Sequence, residues 1–176
     1  METYTPAYVP TGNESAVLTT SKGVITVKLA GLDAPIHVGN FVELAQKGFY
    51  NGLKFHRYEP SFVIQGGCPH TRELTPEQVI SGNAFPPPGT GNPGYCIKGE
   101  WTTNPNNKHL DGTLAMARSQ NPDSAGSQFY FCLGPQGFLD ANYTVFGDAA
   151  DDASLEVIHS LRKGDEILSV EILNAD

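Results

Sequence analysis

Residues 55–67 read Phe55-His56-Arg57-Tyr58-Glu59-Pro60-Ser61-Phe62-Val63-Ile64-Gln65-Gly66-Gly67, two short apolar segments joined by a turn. Aromatic and β-branched residues on both sides of a turn that contains proline predict a β-hairpin. The hairpin carries one arginine, Arg57, and one glutamine, Gln65, among apolar neighbours. A guanidinium is costly to bury without a partner, so Arg57 needs an acceptor or an open groove. We therefore expect a functional site in this hairpin rather than plain scaffold.

Apolar runs on both sides of the hairpin predict a chain built mainly of strands. Further strands are expected at about 16–20, 24–29, 112–117, 127–133, 143–147 and 167–173, and helices from Pro35 to Gly48 and at about 155–161. The pattern has about eight strands but only two helices, which are too few to connect the strands as alternating βαβ units. The pattern favours an antiparallel barrel or a sandwich.

A length of 176 residues predicts one domain. The composition adds an N-terminal arm and one long irregular excursion. Residues 1–14 are polar and contain proline and glycine, so we expect a flexible N-terminal arm before a domain at 15–176. Residues 68 to about 111 include the run Pro86-Pro87-Pro88-Gly89, and such a density of proline and glycine is typical of functional or mobile loops.

The composition excludes several classes of function. A net charge of −8 argues against binding to a nucleic-acid backbone. No apolar stretch approaches the ~20 residues of a membrane-spanning helix, and the first residues lack the features of a signal peptide. The three cysteines, Cys68, Cys96 and Cys132, allow one disulfide, but free thiols in a reducing cytoplasm are the simpler interpretation.

A second strand adds candidate site residues. In the segment 128–131 the alternation of a strand places Phe129 and Phe131 on one face and Gln128 and Tyr130 on the other. The first pair is expected to fill the interior. The second pair offers an amide and an aromatic ring to an outer surface, as do Arg57 and its hairpin neighbours. Together these segments predict a shallow apolar pocket edged by a guanidinium and amides.

These motifs resemble those of the cyclophilin-type peptidyl-prolyl cis-trans isomerases. The resemblance covers residue 16 to the C-terminus and rests on Phe55-His56-Arg57, Phe62 to Gly67, Met116-Ala117-Arg118, Gly126 to Tyr130, Phe138-Leu139-Asp140 and Val145-Phe146-Gly147. It implies a mainly β fold, a closed eight-stranded antiparallel barrel capped by two α-helices, with the site on the outer barrel face. It also implies an enzyme without cofactor or metal that acts on proline-containing peptides and on unfolded or loop segments of proteins. The oligomeric state is open, with a monomer as the default expectation.

The resemblance also assigns roles to individual residues. Arg57, Phe62 and Gln65 would form the catalytic set, in which Arg57 donates to the prolyl nitrogen of a twisted amide and Gln65 steadies Arg57. The residues implied for substrate binding are Val63, Ala117, Arg118, Gln128, Tyr130, Phe138, Leu139 and Tyr143. The reaction needs neither a nucleophile nor a metal, because a donor aimed at that nitrogen and a grip on the proline ring suffice.

The chain departs from the best-known eukaryotic members at several of these positions. Val63 replaces methionine, Tyr130 phenylalanine, Arg118 asparagine, Phe138 tryptophan and Tyr143 histidine. The missing indole N–H removes a donor for cyclosporin. Cyclosporin is therefore expected to bind with weakened affinity, and the long excursion is expected to alter access to the groove.

Other interpretations remain beside this one. His56 neighbours Arg57, yet the reaction transfers no proton, so a structural role is favoured. Cys68-Pro69-His70 has no second ligand pair at metal-site spacing. The rival function is a non-catalytic module of the same fold that binds proline-containing segments. A ligand-carrying β-barrel is a more distant rival, because large side chains are expected to fill the interior.

Overall fold

The computed structural model describes residues 1–175, whose strands form one curved antiparallel sheet that resembles a half-open barrel. The strands are β1 (Ser15–Thr20), β2 (Gly23–Leu29), β3 (Arg57–Glu59), β4 (Val63–Gly66), β5 (Thr113–Met116), β6 (Phe129–Cys132), β7 (Val145–Ala149) and β8 (Ile167–Leu173). Their order across the sheet is β3-β4-β6-β5-β7-β2-β1-β8. The predicted eight antiparallel strands are thus confirmed, and Asp176, the last residue of the predicted domain, lies outside the described residues.

The prediction of a closed barrel is wrong. The hydrogen-bonded ladder ends at β3 on one side and at β8 on the other. Within residues 1–175 these edges approach each other at an isolated bridge between Lys54 and Glu166, with nearby backbone bonds such as Phe55 N to Asp165 O at 2.8 Å. β3 has only three residues against seven in β8. It is therefore too short to pair along β8, and the sheet stays open.

Large side chains fill the concave side of the sheet. Phe129 and Phe131 are fully buried there, as the alternation predicted. Helix α1 (Pro35–Gln46) covers one end, and its Phe41 ring lies 5.1 Å from the ring of Tyr50, 6.0 Å from Phe129 and 5.4 Å from Phe146. This interlocked aromatic core leaves the convex face of the sheet as the place for a site.

Residues 1–175 contain three α-helices rather than the two that were predicted. Helix α3 (Asp152–Ser160) is capped by Asp151, whose side chain accepts from Ser154 N. The additional helix, α2 (Pro76–Ser81), lies within the predicted irregular excursion. Its signal was in the sequence, because Thr75 and Gln78 form a reciprocal capping box around a proline at the first turn. The sequence analysis did not predict this helix, because it is only six residues long and a run of prolines follows it.

A buried glutamate from the excursion holds the start of α1. No side-chain hydrogen bond caps this helix at Ala34. Instead, the Glu100 carboxylate accepts from Ile36 N at 3.0 Å and from His37 N at 2.8 Å, and it lies 2.7 Å from His37 Nδ1. A carboxylate at a helix N-terminus satisfies free N–H groups and complements the helix dipole. The excursion is therefore tied firmly to the body of the fold.

The N-terminal arm contacts the same region. Thr3 forms a parallel bridge with Cys96, and Tyr4 Oη donates to Glu43 of α1 at 2.6 Å. Further along, Tyr8 Oη donates to the buried Glu14 at 2.7 Å. The arm thus lies against the domain in this structure, and its flexibility stays a prediction.

Candidate functional site

The strand register brings the predicted residues into one row across the convex face. Arg57 of β3 is opposite Gln65 of β4, and Gln65 is opposite Tyr130 of β6. Tyr130 is in turn opposite Ala115 of β5, and Ala115 is opposite Val145 of β7. Residues far apart in the chain therefore become lateral neighbours. The row runs from a charged group at one edge to an apolar floor in the middle.

The apolar floor is a small cluster that is separate from the main core. Its buried members are Val63, Ala115, Tyr130, Cys132, Leu139 and Val145, with Phe62, Ala117 and Tyr143 packed against them. Tyr143 stands at the rim, its ring edge-on to the ring of Tyr130 with centroids 6.2 Å apart. Six of the residues predicted for the site thus meet here: Phe62, Val63, Ala117, Tyr130, Leu139 and Tyr143. Such a surface can hold an apolar ring.

Arg57 lies in the open rather than in the core. Its side chain is 48% exposed, and its Nε is 3.8 Å from Oε1 of the equally exposed Glu59. The guanidinium carbon lies 5.6 Å from the centre of the Phe62 ring, and that ring stacks on Phe138 at 5.7 Å. Within residues 1–175 the guanidinium makes no hydrogen bond. Its N–H groups remain available beside the apolar floor. Because the guanidinium stays in contact with solvent, it avoids the free-energy cost of burying an unpaired charge among apolar neighbours.

Phe138 occupies a more exposed position than the other pocket residues. Its side chain is 69% exposed, whereas Leu139 next to it is only 9% exposed. The stacking on Phe62 places Phe138 at the outer edge of the pocket, beside the arginine. It can cover a bound ligand from above, but it is not part of the buried floor.

Gln65 was expected to hold Arg57 in place, but in the structure its side chain bonds to Gln128. Gln65 Nε2 donates to Gln128 Oε1 at 3.1 Å, and no hydrogen bond joins Gln65 to Arg57 in the described part of the chain. Gln128 Nε2 in turn donates to Gly89 O and Gly91 O, each at 2.9 Å. The two predicted amides are therefore linked to each other and to the Pro/Gly-rich excursion.

Arg118 is engaged within the protein. Its guanidinium donates to Asn142 O at 2.7 and 3.0 Å and lies over the rings of Tyr143 at 4.8 Å and Trp101 at 5.1 Å. The side chain therefore supports the pocket rim. Ala117, beside it, donates its backbone N–H to Gln128 O at 2.9 Å.

A polar cavity of about 600 Å³ adjoins the apolar floor. One wall is the excursion at 89–92, and another is the loop from Arg118 to Ser124. Gln65, Ala117 and Gln128 line it as well, whereas Arg57 and Tyr130 do not. The predicted substrate-binding residues are thus divided between an apolar pocket and a neighbouring polar cavity.

Sequence reasoning missed a buried chain of hydrogen bonds beneath the pocket. Tyr130 Oη is 2.8 Å from His109 Nε2, and His109 Nδ1 is 2.7 Å from Asp140 Oδ1. Because the carboxylate accepts from Nδ1–H, Nε2 is left to accept from the tyrosine hydroxyl. The hydroxyl that distinguishes Tyr130 from phenylalanine therefore turns away from the pocket. The signal available in the sequence was that a buried tyrosine needs a partner.

Burial shifts the pKa values of several groups around the site. Burial, with the nearby charges of Arg57 and Lys163, lowers the pKa of His56 to about 4, and its buried Nδ1 has no partner in the described chain. Burial also lowers the pKa of His109, raises that of Tyr130 and raises that of the Cys132 thiol to about 12. These groups are therefore neutral near pH 7.

The remaining reactive and metal-binding side chains of residues 1–175 form no second site. Cys68, Cys96 and Cys132 are all free and buried. In the same residues no cluster of three or more His, Cys, Asp or Glu side chains could hold a metal ion. None of the helices described is long and apolar enough to cross a membrane.

Comparisons with known proteins identify the family of this chain. The family model described as cyclophilin type peptidyl-prolyl cis-trans isomerase/CLD matches residues 15–175. A peptidyl-prolyl cis-trans isomerase of Synechococcus elongatus is 48% identical over 158 residues, which cover 90% of this chain and 95% of that protein. Peptidyl-prolyl cis-trans isomerase B of Bacillus subtilis is 41% identical over 139 residues, covering 79% and 83% of the two chains.

A solved structure shows the same fold at lower identity. It is a Cryptosporidium parvum cyclophilin type peptidyl-prolyl cis-trans isomerase, crystallised in the presence of the dipeptide Ala-Pro. Its TM-score is 0.72 at 24% identity, and the match covers 91% of this chain and 99% of that one.

Proposed function

Since this chain belongs to the family of cyclophilin-type peptidyl-prolyl cis-trans isomerases and is such an isomerase, we propose that Arg57 provides the catalytic interaction. The X-Pro bond rotates against a barrier of about 18–20 kcal/mol that amide resonance creates. As the amide twists, resonance is lost and the prolyl nitrogen becomes a hydrogen-bond acceptor. A donor placed at that nitrogen stabilises the twisted state more than either planar state, and only such a difference accelerates the reaction.

The observation that carries this proposal is the position of Arg57 at the end of the row. Its guanidinium has free N–H groups, it rests on the Phe62 ring, and it borders the apolar floor. A proline ring on that floor would place its nitrogen toward the arginine. Glu59 at 3.8 Å is exposed and too far for a strong hydrogen bond, so it does not occupy the donor.

The pocket suits the pyrrolidine ring of proline. Val63 and Leu139 are almost fully buried, and Tyr130 offers the face of its ring while its hydroxyl is held by His109. No unpaired polar atom of Tyr130 then faces the ligand, which avoids the desolvation cost of burying one. Phe138 would close the pocket from its outer side.

We propose proline-containing peptides and the unfolded or loop segments of proteins as substrates. The Ala-Pro dipeptide present with the related Cryptosporidium parvum protein supports this class of ligand. In this chain the polar cavity beside the floor would accept the residues that precede proline, with Ala117 and Gln128 contacting their backbone. We also propose a cytoplasmic location, because three free buried thiols suit a reducing compartment; cell fractionation would test it.

The proposal is tested by two-dimensional NMR exchange on an X-Pro peptide with wild type, Arg57→Ala and Arg57→Lys. We expect Arg57→Ala to reduce the catalysed rate by about 10²- to 10³-fold, as for the loss of one preorganised donor. Arg57→Lys should recover little, because a lysine cannot lie flat on Phe62 in the same way. The dissociation constant of the peptide should change much less than the rate.

Arg162→Ala is the matched control. This arginine also lies over an aromatic ring, that of Tyr58 at 4.7 Å, but it is not part of the row. Its rate should equal that of wild type. Equal rates for wild type and Arg57→Ala would refute the mechanism. A wild-type protein that binds the peptide without exchange above background would instead support the non-catalytic binding module.

A further inference from the structure

The Gly89-Thr90-Gly91 turn of the excursion is held from below by a buried thiol. Cys68 Sγ accepts from Gly89 N and from Gly91 N, both at 3.2 Å, and Cys68 is fully buried. The approach is close enough to need glycine, because a Cβ on Gly91 would lie 2.9 Å from the Pro69 ring and 3.1 Å from Cys68 Sγ. The turn is thus fixed at two successive points of its backbone.

The same turn is held from above by Gln128. A primary amide has two N–H groups, and Gln128 Nε2 donates to both Gly89 O and Gly91 O at 2.9 Å. The opposite orientation of this amide would place its oxygen against two carbonyl oxygens. The turn therefore fixes which end of the Gln128 side chain faces the site, and that end is the oxygen Oε1.

The orientation of Gln128 determines that of Gln65. Gln128 Oε1 can only accept, so the atom of Gln65 that meets it at 3.1 Å is the donor Nε2. The acceptor Oε1 of Gln65 is then left for other partners. Arg57 is the cross-strand partner of Gln65 and carries only donors. The remaining Gln65 acceptor therefore matches either that guanidinium or an N–H of the substrate backbone.

We propose that the Gly89–Gly91 turn is a positioning element for the isomerase reaction and that Cys68 is the positioning residue that anchors it. Cys68 fixes the turn, the turn orients the amide of Gln128, and Gln128 orients the amide of Gln65. This inference rests on the proposed function of the Arg57 row. It gives the Pro/Gly-rich excursion a role at the site, because a preoriented amide needs no reorganisation when the substrate twists.

The perturbation that isolates this element is Cys68→Ala. It removes the single sulfur acceptor of both hydrogen bonds without altering any residue that lines the groove, and it leaves the Gly89 and Gly91 N–H groups unpaired. Cys68→Ser restores an acceptor at the same place. Val79→Ala is the matched control, because Val79 is fully buried in the same excursion but takes no part in these hydrogen bonds.

The experiment measures three quantities for each variant at a temperature where all of them are folded. They are the hydrogen-exchange protection of the Gly89 and Gly91 amides, the side-chain NH2 signals of Gln65, and kcat and KM from NMR exchange. For Cys68→Ala we expect lost protection, a shifted Gln65 signal and kcat about tenfold lower, with KM changed less than twofold. Cys68→Ser should recover most of the rate, and Val79→Ala should keep both protection and rate.

Several outcomes would overturn the inference. A wild-type kcat in Cys68→Ala despite unprotected Gly89 and Gly91 would show that the turn positions nothing. An equal loss of kcat in Val79→Ala would show general loosening of the excursion. If Cys68→Ala does not fold, Gly91→Ala displaces the turn by its Cβ and must give the same loss of kcat. Failure of the proposed function is distinguishable, because Arg57→Ala would then keep the wild-type rate while Cys68→Ala still lowers kcat.

Discussion

Lowering the pH from 7 to 4 should destabilise the folded chain by about 3 kcal/mol through the protonation of His56 alone. The histidine immediately precedes β3 and lies against the excursion, where a Cβ on Gly89 would be 3.2 Å from its ring. Burial, and then the charges of Arg57 and Lys163, lower its pKa from 6.5 to about 4. Its buried Nδ1 has no hydrogen-bond partner among the described residues, and the side chain of Gln128 opposes the shift only in part.

The sign and size of the effect follow from the two pKa values. Between about pH 6.5 and 4 the unfolded chain binds a proton at His56 while the folded chain does not, so stability is lost as the pH falls. The two values differ by about 2.5, and a difference of one corresponds to about 1.4 kcal/mol. At pH 4 the folded state is itself half protonated, which leaves a loss of about 3 kcal/mol.

Urea denaturation between pH 7 and pH 4 measures this loss, with the fluorescence of Trp101, the single tryptophan, as the probe. His56→Gln is the reference, because its side chain stays neutral throughout. Every other titratable group is present in both proteins, so the remaining contributions cancel in the difference. We expect wild type to lose about 3 kcal/mol more than His56→Gln over this interval. Parallel losses in the two proteins would refute the reasoning, as would an NMR titration of His56 with a midpoint near 6.5.

Three further substitutions have expected outcomes. Tyr130→Phe should lower the free energy of unfolding by about 1–3 kcal/mol in urea, because the buried Nε2 of His109 loses its donor. Glu100→Ala should lower the same quantity by about 3 kcal/mol, because His37 and the first N–H groups of α1 lose a buried acceptor. Phe138→Trp should tighten cyclosporin binding about fivefold in calorimetry, because the indole N–H adds one hydrogen bond worth about 1 kcal/mol.

Each of these expectations has its own check. An unchanged urea midpoint for Tyr130→Phe would mean that His109 is satisfied elsewhere. Glu100→Gln should recover part of the loss, since an amide oxygen still accepts, and a loss as large as in Glu100→Ala would contradict the capping role. For cyclosporin, Phe85→Trp adds the same indole at a residue that is 95% exposed and outside the pocket, so a similar gain there would argue against a contact at Phe138.

The excursion shows where reasoning from the sequence was incomplete. Its density of proline and glycine was read as irregular backbone, yet the capping box at Thr75 and Gln78 starts a helix within it. In the structure two of its glycines, Gly89 and Gly91, are bound by Cys68 and Gln128. Those contacts join segments about 20 to 40 residues apart, and no local pattern records them.

The sequence by itself determined the strands, their alternation and the candidate residues, because side-chain period and turn chemistry are local properties. It therefore placed Arg57 and Gln65 in one hairpin and Tyr130 with Gln128 on one face. Only the tertiary structure decided that these strands are neighbours in register, that the short β3 leaves the sheet open, and that Gln65 pairs with Gln128 rather than with Arg57. Register and amide orientation depend on which distant donors and acceptors meet, and that is settled by the packing of the whole chain.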